Sequence, residues 1–169
     1  IGWMAGVDER SAYLPPRGGQ AHLRAVLAAM ARITPEGREP IAPALARAVE
    51  RMKTRGMILV FTDLYEPDEA LAAELRRAAR MGHDVVLFHL VTRSEIEFPY
   101  AGDLELVDLE TGTRMLTGPA TAADYRRAVA DHLERWRQRA TADGVEYVRV
   151  LTDRPVDRVL RAHLLRRAH

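Results

Sequence analysis

The sequence predicts an α/β domain with a mostly parallel β-sheet, and two observations carry that prediction. Short apolar runs that are typical of buried strands occur at Met57–Asp63, Asp84–Val91 and Val145–Thr152. Stretches with helical periodicity, roughly 12 to 20 residues long, separate these runs. Strands that alternate with helices of this length form sheets in which the neighbouring strands run parallel.

Composition restricts the classes of function that the chain can perform. Of its 169 residues 47% are hydrophobic, which suits one domain with a real core. The 25 basic and 24 acidic residues balance to a net charge of +1, so no nucleic-acid partner is expected. There is no cysteine, which excludes disulfides, thiolate metal sites and cysteine nucleophiles. No apolar run reaches the roughly 18 residues of a membrane span.

The chain begins with two predicted strands and a helix. Ile1–Asp8 is predicted as a strand, and Ser11–Pro16 as a short strand that its prolines restrict to a sheet edge. From Ala21 onward the apolar side chains recur at the i, i+3, i+4, i+7 spacing of one helix face. The residues expected to face inward are Leu23, Val26, Leu27 and Met30.

The middle of the chain predicts helix, strand, helix and strand in succession. Thr34–Pro40 breaks the first helix, and a second follows with Ile41, Leu45, Ala48 and Met52 inward. The continuous apolar run of Met57–Asp63 is typical of a parallel strand covered on both faces. Pro67 suits the first turn of the next helix, which has Leu71, Leu75 and Ala78 inward and ends at Gly82. Asp84–Val91 is the next buried strand.

The last third contains an insertion followed by the final helix–strand–helix unit. Residues 96–118 alternate in polarity around Glu110-Thr111-Gly112, which predicts a short antiparallel hairpin. A long helix is predicted over Ala122–Ala142, then the strand Val145–Thr152 and a helix over Pro155–Arg167. The inward face of the long helix is expected to carry Tyr125, Val129, Leu133, Trp136 and Ala140.

Seven stretches occur in the order and with the spacing of a known family. They are LPPRGGQAHLRAVL, FTDL, RMGHDVVLFHLV, EIEFPYAG, DLETG, ADYRRAVADHL and GVEYVRVLTDRPV. The chain thereby resembles the bacterial DUF58 proteins, whose domain is like a von Willebrand factor A domain. The resemblance implies a doubly wound, Rossmann-like sheet with helices on both faces and a short β-hairpin insertion. It also implies a single domain over residues 1–169 that lacks its first, central strand and helix, which would lie upstream of Ile1.

Asp63 is the principal candidate site residue. It follows a predicted strand, and ligands of such sheets bind outside the carboxyl ends of the strands, where Thr92 and Asp153 are also expected. The resemblance matches Asp63 to the last Asp of a metal-ion-dependent adhesion site, and Glu39 lies where the related pattern often has Thr. Mg²⁺ suits such oxygen ligands, but the sequence contains no Asp-x-Ser-x-Ser, so the ion is expected only if that motif lies upstream. Asp63 as a plain strand-end residue is the alternative interpretation.

The first functional hypothesis is a non-enzymatic module that binds a protein partner at a rim containing Asp63, Leu64, Tyr65 and the loop Glu36–Pro40 with Glu39. The resemblance implies a MoxR-type AAA+ ATPase as that partner, with a joint role in assembling or activating other complexes. A cytoplasmic location is expected unless a membrane anchor lies upstream. Because the absent central strand would leave strand edges unpaired, the chain is also expected to form a homo-oligomer or to borrow a strand.

Alternative functions use other features of the chain. A small metal-dependent α/β hydrolase or phosphatase would use Asp63 as nucleophile or ligand, although FTDLYEP lacks the Asp-x-Asp of the haloacid-dehalogenase type. A nucleic-acid binder would use the basic end Arg161–His169, for which a solvated helix face is the simpler interpretation. The acidic residues of the hairpin region could serve glycoside hydrolysis, or they could be a solvated surface: Glu95, Glu97, Asp103, Glu105, Asp108 and Glu110.

Overall fold

The computed structural model is a mixed α/β protein in which the predicted elements occur in the predicted order. It describes residues 1–5, 12–34, 40–65, 68–100, 102, 104–107, 114–117 and 119–167. Its contacts divide the chain into two compact units. The first unit comprises Ile1–Gly56 and Tyr65–Asp84, and the second comprises Met57–Leu64 and Val85–His169.

The first unit contains a strand pair and three helices. Its elements are β1 (Trp3–Ala5), β2 (Ala12–Leu14), α1 (Gln20–Ala31), α2 (Ile41–Arg51) and α3 (Asp68–Arg80). β1 and β2 pair antiparallel, with Trp3 opposite Leu14. α2 and α3 pack together, and Arg77 of α3 donates a hydrogen bond to the backbone oxygen of Ala46 at 3.3 Å.

The buried faces of these helices agree with the periodicity in α3 and only in part elsewhere. Leu71, Leu75 and Ala78 of α3 are all buried, as predicted. In α2 Leu45 is buried, but the other fully buried residues are Ala42 and Val49, while Ile41, Ala48 and Met52 are half-buried.

The predicted inward face of α1 is wrong for three of its four residues. Val26 is 1% exposed, whereas Leu23, Leu27 and Met30 are 43%, 54% and 46% exposed. Apolar spacing identifies a face that is able to be buried, but burial also requires an element packed across that face. The described part of the chain places none over these three side chains.

The second unit is built on a three-stranded parallel sheet. Its strands are β3 (Met57–Thr62), β4 (Asp84–Val91) and β7 (Glu146–Leu151), in the order β3-β4-β7. β4 and β7 pair in register from Val86 opposite Glu146 to Val91 opposite Leu151. Parallel neighbours need a crossover connection, for which a helix is the expected element. β4 lies between β3 and β7, and this central position explains why its side chains are the most deeply buried of the sheet.

Helices and a hairpin complete the second unit. They are α4 (Arg93–Glu97), β5 (Leu104–Val107), β6 (Arg114–Thr117), α5 (Pro119–Ala142) and α6 (Val156–Arg167). β5 and β6 form the antiparallel pair that the sequence predicted, while its predicted turn lies outside the described residues. α5 buries Leu133, Trp136 and Ala140 as predicted and leaves Tyr125 and Val129 half-buried.

One face of the sheet forms a core with α6. Val86 and Phe88 of β4 and Val148 and Val150 of β7 are buried together, and Val159 and Leu160 of α6 pack against them. Phe61 of β3 stacks on Phe88 with ring centroids 4.6 Å apart.

β3 differs from the strand that its apolar run predicts. Its residues alternate between exposed and covered, and Met57, Leu59 and Phe61 are 51%, 47% and 46% exposed. The prediction of a strand covered on both faces is therefore wrong for β3 in the described structure. The reason is its position, because among the described strands β3 pairs only with β4 and forms the edge of their sheet.

Among the described residues, no helix combines the length and the apolar character that crossing a bilayer requires.

Candidate functional site

The candidate site lies in the second unit, at the carboxyl ends of its parallel strands. β3 ends at Thr62, β4 at Val91 and β7 at Leu151. The backbone N–H of Thr152 donates to the oxygen of Val91 at 3.0 Å, which ties the ends of two strands together. We call this end of the sheet the carboxyl-end rim; it contains Asp63, Thr92, Arg93, Glu95 and Asp153.

Asp63 occupies a tight turn directly after β3. The next residue, Leu64, has a left-handed backbone with φ 59°, which is uncommon for a non-glycine residue. Its side chain is 2% exposed, and its N–H donates to the hydroxyl of the buried Thr62 at 3.1 Å. A buried side chain and a buried hydrogen bond therefore fix the turn, and the carboxylate of Asp63 is held on the surface.

His89, on β4, contacts this turn from the interior of the second unit. The ring is 1% exposed, and its Nδ1 lies 2.8 Å from the hydroxyl of Tyr147 on β7. It also forms a hydrogen bond with the backbone of Asp63. His89 is therefore a hydrogen-bonded histidine of the core.

The electrostatics of His89 favour the neutral imidazole. Burial, with the neighbouring His132 as a smaller cause, lowers the pKa of His89 to about 4, against the opposing effects of Asp63 and Glu95. Burial raises the pKa of Tyr147 to about 12, so that its hydroxyl remains protonated and can donate to a neutral imidazole nitrogen. The neutral His89 ring therefore positions the backbone of Asp63 and the hydroxyl of Tyr147 through its hydrogen bonds.

Thr92 begins α4 with a capping box, which sequence reasoning missed. The Thr92 hydroxyl accepts from the N–H of Glu95 at 3.2 Å, and the Glu95 carboxylate accepts from the N–H of Thr92 at 2.6 Å. The signal was present in the sequence, because Thr-x-x-Glu after an apolar strand marks a helix start. Glu95 is therefore engaged in holding α4.

An ion pair closes the rim between β4 and β7. Arg93 lies 2.9 Å from Asp153 and 3.1 Å from Glu97, and these side chains are about half exposed. Hydrogen bonds to Asp153 and Glu97 raise the pKa of Arg93 above its ordinary value. Exposed pairs of this kind define geometry more than they contribute stability.

The other predicted site residues fall outside this constellation. Tyr65 is 70% exposed and belongs to the first unit. Glu39, and all of the loop Glu36–Pro40 except Pro40, lie outside the described residues. His83, in the turn before β4, accepts from the N–H of Gly56 at 3.3 Å.

The acidic residues of the hairpin region do not act as one group where they are described. Glu105 pairs with Arg114 of β6 at 3.2 Å, while Glu95 caps α4. Asp103, Asp108 and Glu110 lie outside the described residues.

The described residues do not provide a cation site by themselves. No group of three or more acidic or histidine side chains among them is arranged to hold a metal ion. Asp63 as a metal ligand stays a prediction that depends on residues beyond those described.

A mixed α/β protein with a parallel sheet and a polar rim at the strand ends is the class that these observations define. Residues 1–137 match the model of the family described as "Protein of unknown function DUF58", and the chain belongs to that family. The family that the seven motifs resembled is thereby confirmed.

Curated relatives occur in mycobacteria. Uncharacterized proteins of Mycobacterium tuberculosis and Mycobacterium bovis are each 26% identical to this chain over 147 residues. The match covers 83% of this chain and 45% of each relative, so the chain spans about half the length of the curated relatives it matches. No solved structure matches the chain.

Proposed function

We propose that this chain is a non-enzymatic protein-interaction module of the von Willebrand factor A-like type, and that it binds its partner at the carboxyl-end rim. One observation carries the proposal: Asp63 is exposed on a turn that Leu64, Thr62 and His89 fix from within. A turn whose backbone is already fixed loses little conformational freedom on binding, which favours recognition. Ligands of parallel sheets bind at this end of the strands.

The polar groups around Asp63 support binding over catalysis. A general base needs a free nitrogen or oxygen within reach of a substrate proton. His89 is buried and engaged with Tyr147 and the backbone of Asp63, and Glu95 is engaged in the cap of α4. Hydrolysis by way of Asp63 would need further groups from outside the described residues.

The proposed partner is a MoxR-type AAA+ ATPase, as the family resemblance implies. Together the two proteins would act in assembling or activating other complexes. The proposal places the chain in the cytoplasm, where an ATPase has access to ATP. The rim offers carboxylates and an Arg93–Asp153 pair to such a partner.

The binding experiment compares wild type with two matched variants. Asp63→Ala removes the exposed carboxylate and leaves the backbone that bonds His89 in place, whereas Asp131→Ala removes an exposed carboxylate from α5. Affinity for the purified MoxR-type ATPase of the same genome is measured by interferometry. We expect Asp63→Ala to weaken binding about tenfold, as loss of an interface hot spot does, and Asp131→Ala to leave it unchanged.

Two results contradict the proposal. One is equal affinity of wild type and Asp63→Ala for a partner that wild type binds. The other is turnover of a generic phosphate ester that Asp63→Asn abolishes, which establishes the hydrolase alternative instead.

We further propose that another chain completes the sheet at β3. In the described structure β3 has one paired edge, and Met57, Leu59 and Phe61 form an exposed apolar stripe beside it. An unpaired edge next to an apolar stripe is a pairing surface. The proposed occupant is a second copy of this chain, which makes the protein a homo-oligomer.

A further inference from the structure

The outer edge of β7 borders a groove that the carboxyl-end rim does not use. Its volume is about 440 Å³, and consecutive residues of β7, from Val148 to Leu151, line it. Because consecutive side chains of a strand point to opposite faces, a groove lined by all of them lies along the edge. The inner edge pairs with β4, so the groove follows the outer one.

The backbone of this edge is available for pairing within the described sheet. β7 is the last strand in the order β3-β4-β7. An outer edge presents unpaired N–H and C=O groups, onto which an extended peptide can add as a further strand.

Arginine dominates the polar lining of the groove. Arg149 extends from β7, Arg154 from the turn after it and Arg158 from the first turns of α6, and all three are exposed. No acidic residue is among the residues that line the groove. Asp153, next to Arg154 in the chain, is engaged with Arg93 at 2.9 Å.

This concentration of charge is local. The whole chain has a net charge of only +1. The groove is therefore more basic than the protein as a whole, because arginines line it and carboxylates do not. Guanidinium groups in a shared groove match carboxylates well, because each presents several N–H donors in a planar fork.

We propose that this groove binds an extended acidic peptide, which adds to β7 as a strand and pairs its carboxylates with Arg149, Arg154 and Arg158. Val159, which is half-buried and lines the groove beside the arginines, contacts an apolar residue of such a peptide. A nucleic acid would use the charges alone, while an extended peptide also uses the strand edge and the apolar side chains. The site is additional to the partner-binding rim.

The test uses a short fluorescent peptide with the repeat Glu-Glu-Val-Val, which presents glutamate on both faces of an added strand, and measures its anisotropy with the full chain. The charge-reversed variant Arg154→Glu/Arg158→Glu is compared with Arg126→Glu/Arg135→Glu, which makes the same change of charge at exposed positions of α5. We expect the first variant to weaken binding about tenfold or more, because two charge-assisted contacts become repulsive, and the second to change it far less.

Companion peptides separate strand addition from simple attraction of charge. Peptides N-methylated at every second residue, in either register, keep the charge but lose the N–H groups of one edge. We expect one of the two registers to lose binding, because only one edge of the peptide faces β7.

The proposal is overturned if the acidic peptide does not bind, or if both double variants lose affinity equally. It is also overturned if both methylated peptides bind like the parent peptide, or if an oligonucleotide binds more tightly than the peptide. The last outcome would identify a nucleic-acid surface.

Discussion

The two edges of the parallel sheet have opposite surface chemistry. At β3 the exposed side chains are Met57, Leu59 and Phe61, all of them apolar. At β7 the exposed side chain of Arg149 is joined by Arg154 and Arg158 around a groove. Both strands leave one backbone edge unpaired in the described sheet.

The difference concerns what each edge can accept. An apolar stripe next to an open edge favours binding of an apolar strand or a covering helix. Such binding does not depend on the charge of the partner. Arginines next to an open edge repel another basic chain and attract an acidic one. Two strands of the same sheet are therefore suited to different partners, and substitutions can test each edge separately.

The largest effect is expected at the strand between the edges. Phe88→Ala on β4 removes a ring that is 1% exposed, and we expect it to lower the free energy of unfolding by about 3–5 kcal/mol. Phe61→Ala on β3 removes the stacking partner, whose ring is 46% exposed, and should cost about 1–2 kcal/mol. Urea denaturation of both variants measures the contrast. Equal losses would mean that β3 is as deeply buried in solution as β4.

A pH response is expected from the same central strand. The pKa of His89 is about 4 in the folded chain and near its ordinary value of 6.5 in the unfolded chain. Since the folded-state pKa is depressed, the unfolded chain binds more protons between these values. Stability is fully present above about pH 6.5 and declines as pH falls toward 4, by at most about 3 kcal/mol.

Denaturation across this pH window tests the response of His89. His89→Gln keeps a hydrogen-bonding side chain without a titration in the window, so its pH slope should be shallower. His22→Gln changes a histidine of the first unit and is the reference variant. Identical slopes for all three proteins would show that His89 does not carry the effect.

At the apolar edge, a single charge should weaken self-association. Leu59→Lys places an ammonium group in the exposed stripe of β3, and we expect the dissociation constant of the homo-oligomer to rise about tenfold. Val107→Lys makes the same change at a residue of β5 that is 44% exposed, and should leave association unaltered. Sedimentation velocity at several concentrations is the measurement. A wild-type chain that stays monomeric and unfolds cooperatively would contradict the proposed completion of the sheet.

The smallest effect is expected at the rim, where Thr92 caps α4. Thr92→Ala removes the acceptor for the N–H of Glu95, and the expected loss of stability is about 1 kcal/mol. Thr92→Ser retains the hydroxyl and should recover most of that loss. A loss of equal size in both variants would assign it to the methyl group of threonine instead.

The sequence was most informative where local pattern and burial coincide. β4 combines a continuous apolar run with a central position, and α3 combines strict periodicity with a packed face, so both were predicted correctly. The pairing of β5 with β6 was predicted from alternation around the expected turn Glu110-Thr111-Gly112. The turn at Asp63 was located because a strand end is visible as a change of polarity.

Other features depend on contacts that no local pattern records. The same apolar character at Met57, Leu59 and Phe61 predicts burial, yet the position of β3 at the sheet edge leaves them exposed. The engagement of His89 with Tyr147 joins residues far apart in sequence, and the grouping of Arg149, Arg154 and Arg158 needs the end of a strand beside the start of a helix.

Because Leu64 has a left-handed backbone, the turn at Asp63 depends on the packing of the Leu64 side chain. Holding a non-glycine residue at φ 59° costs on the order of 1–3 kcal/mol, and burial of a leucine side chain stabilises by a similar amount. The two contributions nearly cancel, so the turn is retained only while Leu64 stays buried. A substitution that removes the packing of Leu64 is therefore expected to change the position of Asp63 as well.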